Sequence, residues 1–550
     1  MKLKHTRDLC FILLVLAACS STSEQPALSS IVATPRGANI APGDIVAFLA
    51  TGSYADGSSN TLTGVVWQSS VPAIATINSD GTAVGVGVGT TVIRAEFSGL
   101  GDSTTLTVST HAQSLGPLHV SMDNPRYFAD PSGKVVYLTG SHFWKNVQDD
   151  DRTNPPAAFD NTAYLNFLQS HNHNFTRLWV WEQSKWSSEV AYDHWFSPTL
   201  YVRTGPGAAA DGGLKFDLSQ INPAYLARLR QRVIDAGARG IYVSVMFFDG
   251  WSVETKPGSA KANPWLAHPF RSTNNINGIN GDPNGDQSGR ETQQLSIPAV
   301  TSLQEAYVRA VVDAVDDLDN VIYEISNESD PSGDAWQYHM INFIRSYEAT
   351  KPKHHPIGMS VPFPGTNADV MNSSADWVAM DGSISDPAVA DGSKVSLWDT
   401  DHLCGICGDV PWVWKSLTRG HNPLLMDGYD NSSGVSDPSY NPNDPKWEAI
   451  RKNLGYARSY ALRMDLGHAL PHGELASSGY CLAKPGVEYL VYSPGGTSVT
   501  VNLTSVPSTT NLTVEWFNSG TGVATTLGTI AGGGSRQIPA HGADDVLFLR

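Results

Sequence analysis

The chain has 550 residues, of which 16% are charged, and its formal net charge is -17 at pH 7. Because domains usually contain about 100–200 residues, this length predicts two to four folding units. The acidic residues are scattered rather than gathered in a tail, and they would repel phosphate backbones, which excludes a nucleic-acid partner. Gly, Pro and Trp are abundant, at 50, 33 and 15 residues, which favours strands, turns and aromatic-lined grooves over long solvated helices.

The N-terminus predicts export. Three basic residues precede an apolar run at residues 9–16, which is too short to span a bilayer. The run is followed by Ala17-Ala18-Cys19, which resembles the bacterial lipobox, where the cysteine is lipidated after cleavage. The resemblance implies that residues 1–19 are a signal peptide and that Cys19 anchors the protein to the cell envelope, at the outer membrane or cell surface. The alternative is an ordinary secretory signal that leaves the exported protein unanchored.

Three cysteines remain in the body of the chain, namely Cys404, Cys407 and Cys481. Export places them where disulfides persist. A single C-x-x-C pair without a second pair or suitably spaced histidines is a poor zinc motif. We therefore expect a local disulfide in a loop rather than a metal.

Residues 28–110, which follow a short polar tether at 20–27, contain brief β-rich runs broken by Gly, Asp and Asn, a spacing typical of a β-sandwich. The runs FLATGSYADG (48–57), WQSSVPAIATI (67–77) and GTAVGVGVGTTVIRA (81–95) resemble the group-two bacterial immunoglobulin-like domain. Such modules are spacers or adhesive units, so no catalysis is expected here.

Residues 111–470 alternate apolar runs with helix-like segments, the pattern of parallel strands covered by helices. Asn222-Pro223 and a capping box at Thr301–Gln304 predict two of the helix starts. Eight strands are predicted, at Val136–His142, Phe175–Glu182, Tyr242–Gly250, Val321–Ser329, His355–Val361, Trp377–Gly382, Val395–His402 and Pro423–Tyr429. The fold class is therefore a multidomain chain with a (β/α)8 TIM barrel between two β-sandwiches.

Residues 471–550 return to alternating strands after a last helix that starts at Trp447. Their stretches GYCLAKPGVEYLVY and VEWFNSGTG resemble the C-terminal domain, named for collagen binding, that accompanies apiosidase-like barrels. A small domain that directly follows a barrel more often shields or completes a binding cleft.

The C-terminal ends of the strands are the place to look for chemistry, because barrel active sites lie there. The fourth strand ends in Asn327-Glu328. This pair resembles the clan A, cellulase-like glycoside hydrolases, which implies that Glu328 is the general acid/base and that Asn327 binds the sugar's 2-hydroxyl. The alternative is that the acid only caps the next helix. Glu324, lower in the barrel, is expected to pair with a basic residue.

The seventh strand supplies the second carboxylate in clan A, normally as a glutamate. Here it ends in Asp399-Thr400-Asp401-His402, which departs from that pattern. We favour Asp399 as the nucleophile, with Asp401 as the alternative, His402 as a group that orients either carboxylate, and a loop-capping network as the non-catalytic interpretation. Retention, the clan's expected outcome, needs carboxyl groups about 5–5.5 Å apart, and inversion about 6.5–9.5 Å.

Arg177 lies in the segment NFTRLWVWE (174–182), which resembles the clan's N-x-x-R-L-W segment. The resemblance implies that Arg177 bonds the seventh-strand carboxylate and keeps it ionised. A metal bound by Asp399, Asp401 and His402 is the competing hypothesis, but no His-x-His ends the first strand. Neither a metal nor a cofactor is expected.

The other strand ends carry polar and aromatic side chains that would face the same mouth. Aromatic rings there can stack on sugar faces, although each is equally compatible with core packing. The long segments 183–221 and 251–298 exceed ordinary βα connections and should wall the cleft. These remaining substrate-binding candidates are His142, Trp144, Trp181, Trp251, Asp427 and Tyr429.

The sequence thus predicts a glycoside hydrolase that acts on a polysaccharide or glycoconjugate. The alternative is a surface lipoprotein that binds carbohydrate or matrix through a catalytically inactive barrel, which fold alone does not exclude. The joint presence of Asn327-Glu328, Arg177 and a seventh-strand acid favours the enzyme, because these residues share no structural purpose.

Overall fold

The computed structural model describes residues 26–40, 45–56, 58–79, 81–108, 116–186, 193–256, 262–429, 441–539 and 541–550. The predicted signal peptide with Cys19, and most of the tether, lie outside the described residues. The chain divides into two compact units, Met1–Ala112 and Gln113–Arg550. Among the helices described, none combines the length and apolar character needed to cross a bilayer.

The N-terminal unit is built of short, mostly antiparallel strands, and Ala38–Ile40 pairs in parallel with the strand Leu100–Val108. Gly89–Phe97 and Leu100–Val108 form its longest hairpin, and alternate residues such as Ile93 and Leu106 are buried, as expected for a sheet with one face on a core. The resemblance to an immunoglobulin-like domain stays a prediction. The described strands of this unit are Leu28–Thr34, Ala38–Ile40, Ile45–Ala47, Leu49–Tyr54, Ser59–Thr61, Val66–Ser69, Ala75–Ile77, Thr82–Gly85, Gly89–Phe97 and Leu100–Val108.

A closed barrel of eight parallel strands forms the centre of the second unit, which confirms the predicted TIM-barrel class. Closure is made by parallel pairing of the first strand with the eighth, with Ser141 opposite Leu425. Apart from Met426, every residue of these strands is buried, as expected for parallel strands covered by helices. They are β1 (Gly140–His142), β2 (Phe175–Leu178), β3 (Tyr242–Asp249), β4 (Val321–Asn327), β5 (Ile357–Ser360), β6 (Trp377–Ala379), β7 (Val395–Asp399) and β8 (Asn422–Met426).

Helices cover the barrel. Asn222 caps the second one as predicted, accepting a hydrogen bond from the backbone of Ala224. The predicted capping box at Thr301–Gln304 is wrong, because that helix already begins at Pro298, where proline suits the first turn. The helices are α1 (Asn161–Ser170), α2 (Pro223–Gly237), α3 (Gly250–Val253), α4 (Pro298–Val315), α5 (Asp334–Glu348), α6 (Asn367–Met371), α7 (Thr400–Leu403), α8 (Val410–Thr418) and α9 (Pro445–Ala461), with 3-10 turns at Pro264–Ala267, Arg290–Gln293, Pro331–Gly333, Gly473–Leu475 and Pro494–Gly496.

The seventh strand is shorter than predicted. It ends at Asp399, and the next residues form α7 instead of continuing the strand to His402. The cause is local, because the Asp399 side chain accepts a hydrogen bond from the backbone N–H of Asp401 and so caps the helix. Asp401 therefore does not share a strand face with Asp399.

The second unit has further strands outside the barrel. In chain order they come before β1, between β1 and β3, and after α9. They form a small sheet before β1, a three-stranded sheet and a hairpin between β1 and β3, and the sheets that follow α9. These strands are His119–Val120, Phe128–Ala129, Val135–Val136, Asp149–Asp151, Lys185–Trp186, His194–Ser197, Tyr201–Ala208, Leu214–Ile221, Leu470–Pro471, Cys481–Lys484, Glu488–Ser493, Val499–Asn502, Asn511–Asn518, Val523–Ala531, Ser535–Ile538 and Asp545–Leu549.

The C-terminal sheets share a core with the barrel's last helices. Six strands form one sheet and two form another. Trp412 and Trp414 of α8 lie in one buried cluster with Phe517 and Phe548 of the larger sheet. The C-terminal domain therefore packs against α8 and α9, and it does not face solvent on all sides.

Gly358 of β5 marks the closest packing in the barrel wall. A Cβ at this position would lie 1.8 Å from Cε2 of the buried Trp377, and the indole could not move without losing its hydrogen bond to the Tyr323 carbonyl. We expect Gly358→Ala to lower the free energy of unfolding by about 1–3 kcal/mol, measured by denaturant unfolding. The control Gly534→Ala, where the nearest heavy atom is 3.9 Å away, should change it by less than about 0.5 kcal/mol; equal effects would contradict the packing argument.

Candidate active site

A cavity of about 670 Å³ opens at the C-terminal ends of the barrel strands. This volume lies in the range of small-molecule sites. Among the described residues that line the cavity, the charged or titratable ones are Glu328, Asp381, Asp401 and His402. Most of the other lining residues are aromatic or apolar. The cavity brings together six of the residues predicted from the sequence, Trp144, Trp181, Trp251, Glu328, Asp401 and His402.

Glu328 follows directly after β4 and has an unusual backbone. Its φ is 44°, in the left-handed region, where residues other than glycine are uncommon and where strain often accompanies function. The neighbouring Gly250 makes this possible, because a Cβ there would lie 2.1 Å from the Glu328 carbonyl oxygen. The two chain segments therefore approach as closely as a glycine allows.

Two side chains contact the Glu328 carboxylate. The indole N–H of Trp251 donates a hydrogen bond to Oε2, and Nδ1 of His402 lies 3.6 Å from Oε1. Burial alone would raise the pKa of Glu328, but His402 and the Trp251 hydrogen bond bring it below its ordinary value. The pKa of His402 is raised despite burial, because Glu328 and Asp401 favour the imidazolium. Each group therefore favours the charged form of the other, a carboxylate beside an imidazolium.

Arg177 lies beneath the cavity and joins three strands. Its Nη2 and Nε donate to Glu324 at 2.6 and 3.0 Å, and its Nη1 donates to Asp399 at 3.1 Å and to Asp401 at 2.8 Å. Nη2 also donates to the side-chain oxygen of Asn327 at 3.0 Å. Because an unpaired buried guanidinium would be very costly, this cluster is fixed by electrostatics. The expected pairing of Glu324 with a basic residue is present.

The two seventh-strand acids occupy different places. Asp399 is fully buried, contacts His142 at 3.0 Å and does not line the cavity. Burial opposes its ionisation, but His142 and Arg177 hold the pKa of Asp399 well below its usual range. Asp401 lines the cavity; burial raises its pKa, and the charge of Glu328 adds to the rise against the opposing effect of His402. The geometry thus favours Asp401 as the acid that meets a ligand, whereas the sequence favoured Asp399.

Asp427 and Tyr429, predicted as substrate contacts, do not line the cavity. Asp427 accepts hydrogen bonds from Nη2 and Nε of Arg451 at 2.6 and 2.8 Å. The Tyr429 ring packs edge-on against Tyr164 and Phe167, at 5.0 and 5.1 Å between centroids. The prediction is corrected for these two residues: after β8, Asp427 pairs with α9 and Tyr429 packs on α1, so neither side chain lines the cavity.

Trp179 and Phe363 line the cavity but were missed by the sequence analysis. Trp179 lies two residues after Arg177, and this spacing could have indicated a shared face; its buried indole N–H has no hydrogen-bond partner in the described residues. Phe363 is 39% exposed and stacks on Trp251 at an interplanar angle of 13°. Its position depends on the loop after β5, which gives no sequence signal.

Cys404 and Cys407 form a disulfide, as expected for the local pair. Cys404 and the two residues inside the ring, Gly405 and Ile406, line the cavity. Cys481 is buried and free. The disulfide therefore restrains a part of the cavity wall that directly follows Asp401 and His402.

A metal at the base of the cavity does not fit the residues present. His142, Asp399 and Asp401 place ligand atoms within 4.8 Å of one another. However, Nη1 of Arg177 already lies 3.1 and 2.8 Å from the two carboxylates. A divalent cation there would stand beside a buried guanidinium and be repelled by it.

Asp249 supports the site from the end of β3. Its carboxyl group accepts from Nδ2 of Asn327 at 3.3 Å and from Oγ of Ser252 at 3.1 Å. Burial, with the charge of nearby Glu182, raises the pKa of Asp249 to about 8. The group is therefore mostly protonated at neutral pH and holds the Asn327 amide between itself and Arg177.

Two family descriptions match parts of the chain. Residues 187–373 match "Domain of unknown function (DUF6298)", and residues 473–550 match "Putative collagen-binding domain of a collagenase". Among curated proteins, Ice-binding protein 1 of Shewanella frigidimarina (strain NCIMB 400) is 34% identical over 120 residues, which is 22% of this chain and 13% of that protein.

Solved structures with the same fold include glycoside hydrolases. A glycoside hydrolase family 5 protein from Bacteroides vulgatus ATCC 8482 aligns with a TM-score of 0.53 at 14% identity, covering 79% of this chain and 93% of that one. A "putative glycoside hydrolase" from the same organism aligns with a TM-score of 0.54 at 12% identity, covering 94% and 98%. At these identities the likeness establishes the fold.

The protonated Asp249 predicts a pH-dependent stability. The folded pKa of Asp249 is about 8, above the ordinary aspartate value of 3.8. The stabilising contribution of Asp249 is therefore complete below pH ~4 and is lost as pH rises towards 8, at up to about 1.4 kcal/mol per pH unit. Asp249→Asn keeps a neutral hydrogen-bonding group without this loss. We expect the free energy of unfolding of the variant, relative to that of the wild type, to increase between pH ~4 and 8 and to differ by a constant amount above pH ~8. Urea unfolding at several pH values measures this difference. A pH-independent difference would contradict the assignment.

Proposed function

We propose that this protein is a glycoside hydrolase that cleaves O-glycosidic bonds of a polysaccharide or glycoconjugate. The observation that carries the proposal is that Glu328 and Asp401 line one cavity and that Arg177 holds Asp401 at 2.8 Å. Glycoside hydrolysis needs two carboxyl groups that flank the scissile bond. The barrel fold shared with glycoside hydrolases of known structure supports the proposal.

In the proposed reaction Glu328 protonates the leaving oxygen while Asp401 attacks the anomeric carbon. The pKa directions favour a Glu328 carboxylate beside a His402 imidazolium, whose Nδ1 lies 3.6 Å away, so in this proposal His402 passes its proton to Glu328 before Glu328 protonates the leaving oxygen. As the carbon–oxygen bond breaks, its electrons remain on the protonated leaving group, and a glycosyl ester forms on Asp401. Water then attacks this ester, gives its proton to Glu328, and releases the sugar with retention.

Asp401 needs its negative charge at the moment of attack. Burial raises its pKa, and the neighbouring guanidinium of Arg177 opposes this effect. Asp399 keeps Arg177 and His142 in place, at 3.1 and 3.0 Å. In this proposal Asp399 is a positioning residue, and the indole rings of Trp144, Trp179 and Trp181 stack on the sugar.

Cellular placement is part of the same proposal. The Leu16-Ala-Ala-Cys19 sequence supports lipid anchoring to the bacterial envelope, where a glycan-degrading enzyme meets polymers that cannot enter the cell. The C-terminal family is named for collagen, and this supports no more than carbohydrate or matrix contact. The competing function is a binding lipoprotein with an inactive barrel, which the following experiments would detect.

Glu328→Gln removes the ionisable group while preserving its shape. We expect kcat on 4-nitrophenyl glycosides to fall at least about 100-fold, as for loss of a general acid, with the fold kept by circular dichroism. The exposed pair residue Glu474 offers a matched control, Glu474→Gln, with wild-type activity. Wild-type turnover by Glu328→Gln would refute its role, and a wild type inactive on every glycoside and polysaccharide of a broad panel would favour the binding protein.

Azide rescue distinguishes the roles of Asp399 and Asp401. Asp401→Asn and Asp399→Asn should both lose most activity, the first by losing the nucleophile and the second by disturbing Arg177 and His142. Azide can attack the anomeric carbon in place of a missing nucleophile, so of these two variants it should restore turnover of an activated aryl glycoside to Asp401→Asn alone, with a glycosyl azide as product. Rescue of Asp399→Asn instead would reverse the assignment, and rescue of neither would contradict a covalent intermediate on this strand.

A further inference from the structure

We infer that a second, polar cavity around Arg290 is a binding subsite for a further sugar unit of the substrate, so that the chain acts on oligomeric glycans. The inference rests on the proposed function and deepens it. The cavity measures about 530 Å³. Pro364 lines both this cavity and the cavity that contains Glu328, so the two adjoin.

Chain connectivity places the two cavities at the same end of the barrel. Asp330, which lines the second cavity, lies two residues after Glu328 in the loop that follows β4. Glu254, on its other side, directly follows α3, which begins where β3 ends. A glycan bound at Glu328 would pass the stacked pair of Trp251 and Phe363 and reach this cavity at Pro364.

The lining of the second cavity suits a hydroxyl-rich ligand. Of the described residues that line it, Pro364 is the one without a polar side chain, whereas the described lining of the first cavity is mainly aromatic and apolar. Sugar hydroxyl groups both donate and accept hydrogen bonds, and a mixed set of carboxylates, amides and a guanidinium satisfies both roles. The principal polar lining residues are Glu254, Asn263, Asp286, Arg290 and Asp330.

Arg290 lies between three acidic side chains and forms no short ion pair with any of them. Its nitrogens lie 3.4 Å from Glu254, 3.4 Å from Asp286 and 3.8 Å from Asp330, longer than the roughly 2.7–2.9 Å of a tight charged hydrogen bond. Its side chain is 42% exposed. Nε of Arg290 donates to Ser288 at 3.2 Å, and one oxygen each of Glu254 and Asp330 accepts from Lys256 and Ser332. The Nη groups of Arg290 and the second oxygens of these acids can therefore form hydrogen bonds with vicinal hydroxyls of a sugar.

The residues of this subsite come mostly from the long segment between α3 and α4. Glu254, Asn263, Asp286 and Arg290 all belong to it, and it greatly exceeds an ordinary βα connection. A segment of this length that ends beside the catalytic mouth is a common origin of substrate-binding walls in barrels.

The test compares substrates of increasing length. Wild type, Arg290→Ala and Thr255→Leu are assayed on 4-nitrophenyl monosaccharides and on cello-, manno- and xylo-oligosaccharides of two to six units. Thr255 is exposed and lines the same cavity, so its leucine variant obstructs the cavity while leaving Arg290 and its acids intact. Arg271→Ala, in the same segment but bonded to Thr273, is the matched control.

We expect kcat/KM of the wild type to rise with chain length. The ratio of kcat/KM on the longest productive oligosaccharide to that on the monosaccharide should fall about tenfold in Arg290→Ala and in Thr255→Leu, through KM rather than kcat. The ratio should be unchanged in Arg271→Ala.

Two failures are distinguishable. A wild type that hydrolyses none of these probes and no polysaccharide contradicts the proposed function. A wild type that is active, with the same length dependence in Arg290→Ala and Thr255→Leu as in the unaltered chain, overturns the subsite and leaves the hydrolase in place. A misfolded Arg290→Ala does not decide the matter alone, because Thr255→Leu gives the answer independently.

Discussion

The buried guanidinium of Arg177 is the interaction on which the rest of the site depends. It reaches Glu324 on β4, Asp399 at the end of β7 and Asp401 in α7, at 2.6 to 3.1 Å. Three acids so close together would repel one another without a cation among them. Arg177 therefore holds the acidic side chains of β4, β7 and α7 close together, and this arrangement fixes the position of Asp401 in the cavity wall.

The sequence predicted the barrel because its strands are short apolar runs between helical segments, a pattern that follows from burial on both faces. It predicted Glu328 and Arg177 through resemblance, and both lie at the mouth or directly beneath it. It favoured Asp399 over Asp401 because the clan's nucleophile would fall at or near Asp399, and it placed both acids on a strand that runs to His402. The capping hydrogen bond from the Asp401 N–H to Asp399 turns the chain there, and the strand pattern carries no sign of it.

Other features depend on contacts between distant segments. Asp427 lies directly after β8, although the predicted strand ran on to Tyr429, and both of its carboxylate oxygens accept hydrogen bonds from Arg451 of α9. No local sequence pattern indicates that partner. Phe363 reaches the cavity from a loop, and the close approach of Gly250 to Glu328 is visible only once β3 and β4 are adjacent. Strand ends can be located from periodicity, whereas the direction of their side chains follows from tertiary packing.

The shared core of the last helices and the C-terminal sheets limits how this architecture can be rearranged in evolution. Trp412, Trp414 and Tyr460 are buried in one cluster with Phe517, Phe548 and Tyr492. A gene fusion that exchanged the C-terminal domain for an unrelated one would expose two tryptophans of α8 to water and create a large apolar patch on the barrel. Recombination is therefore expected to transfer the barrel and this domain together, as one inherited block.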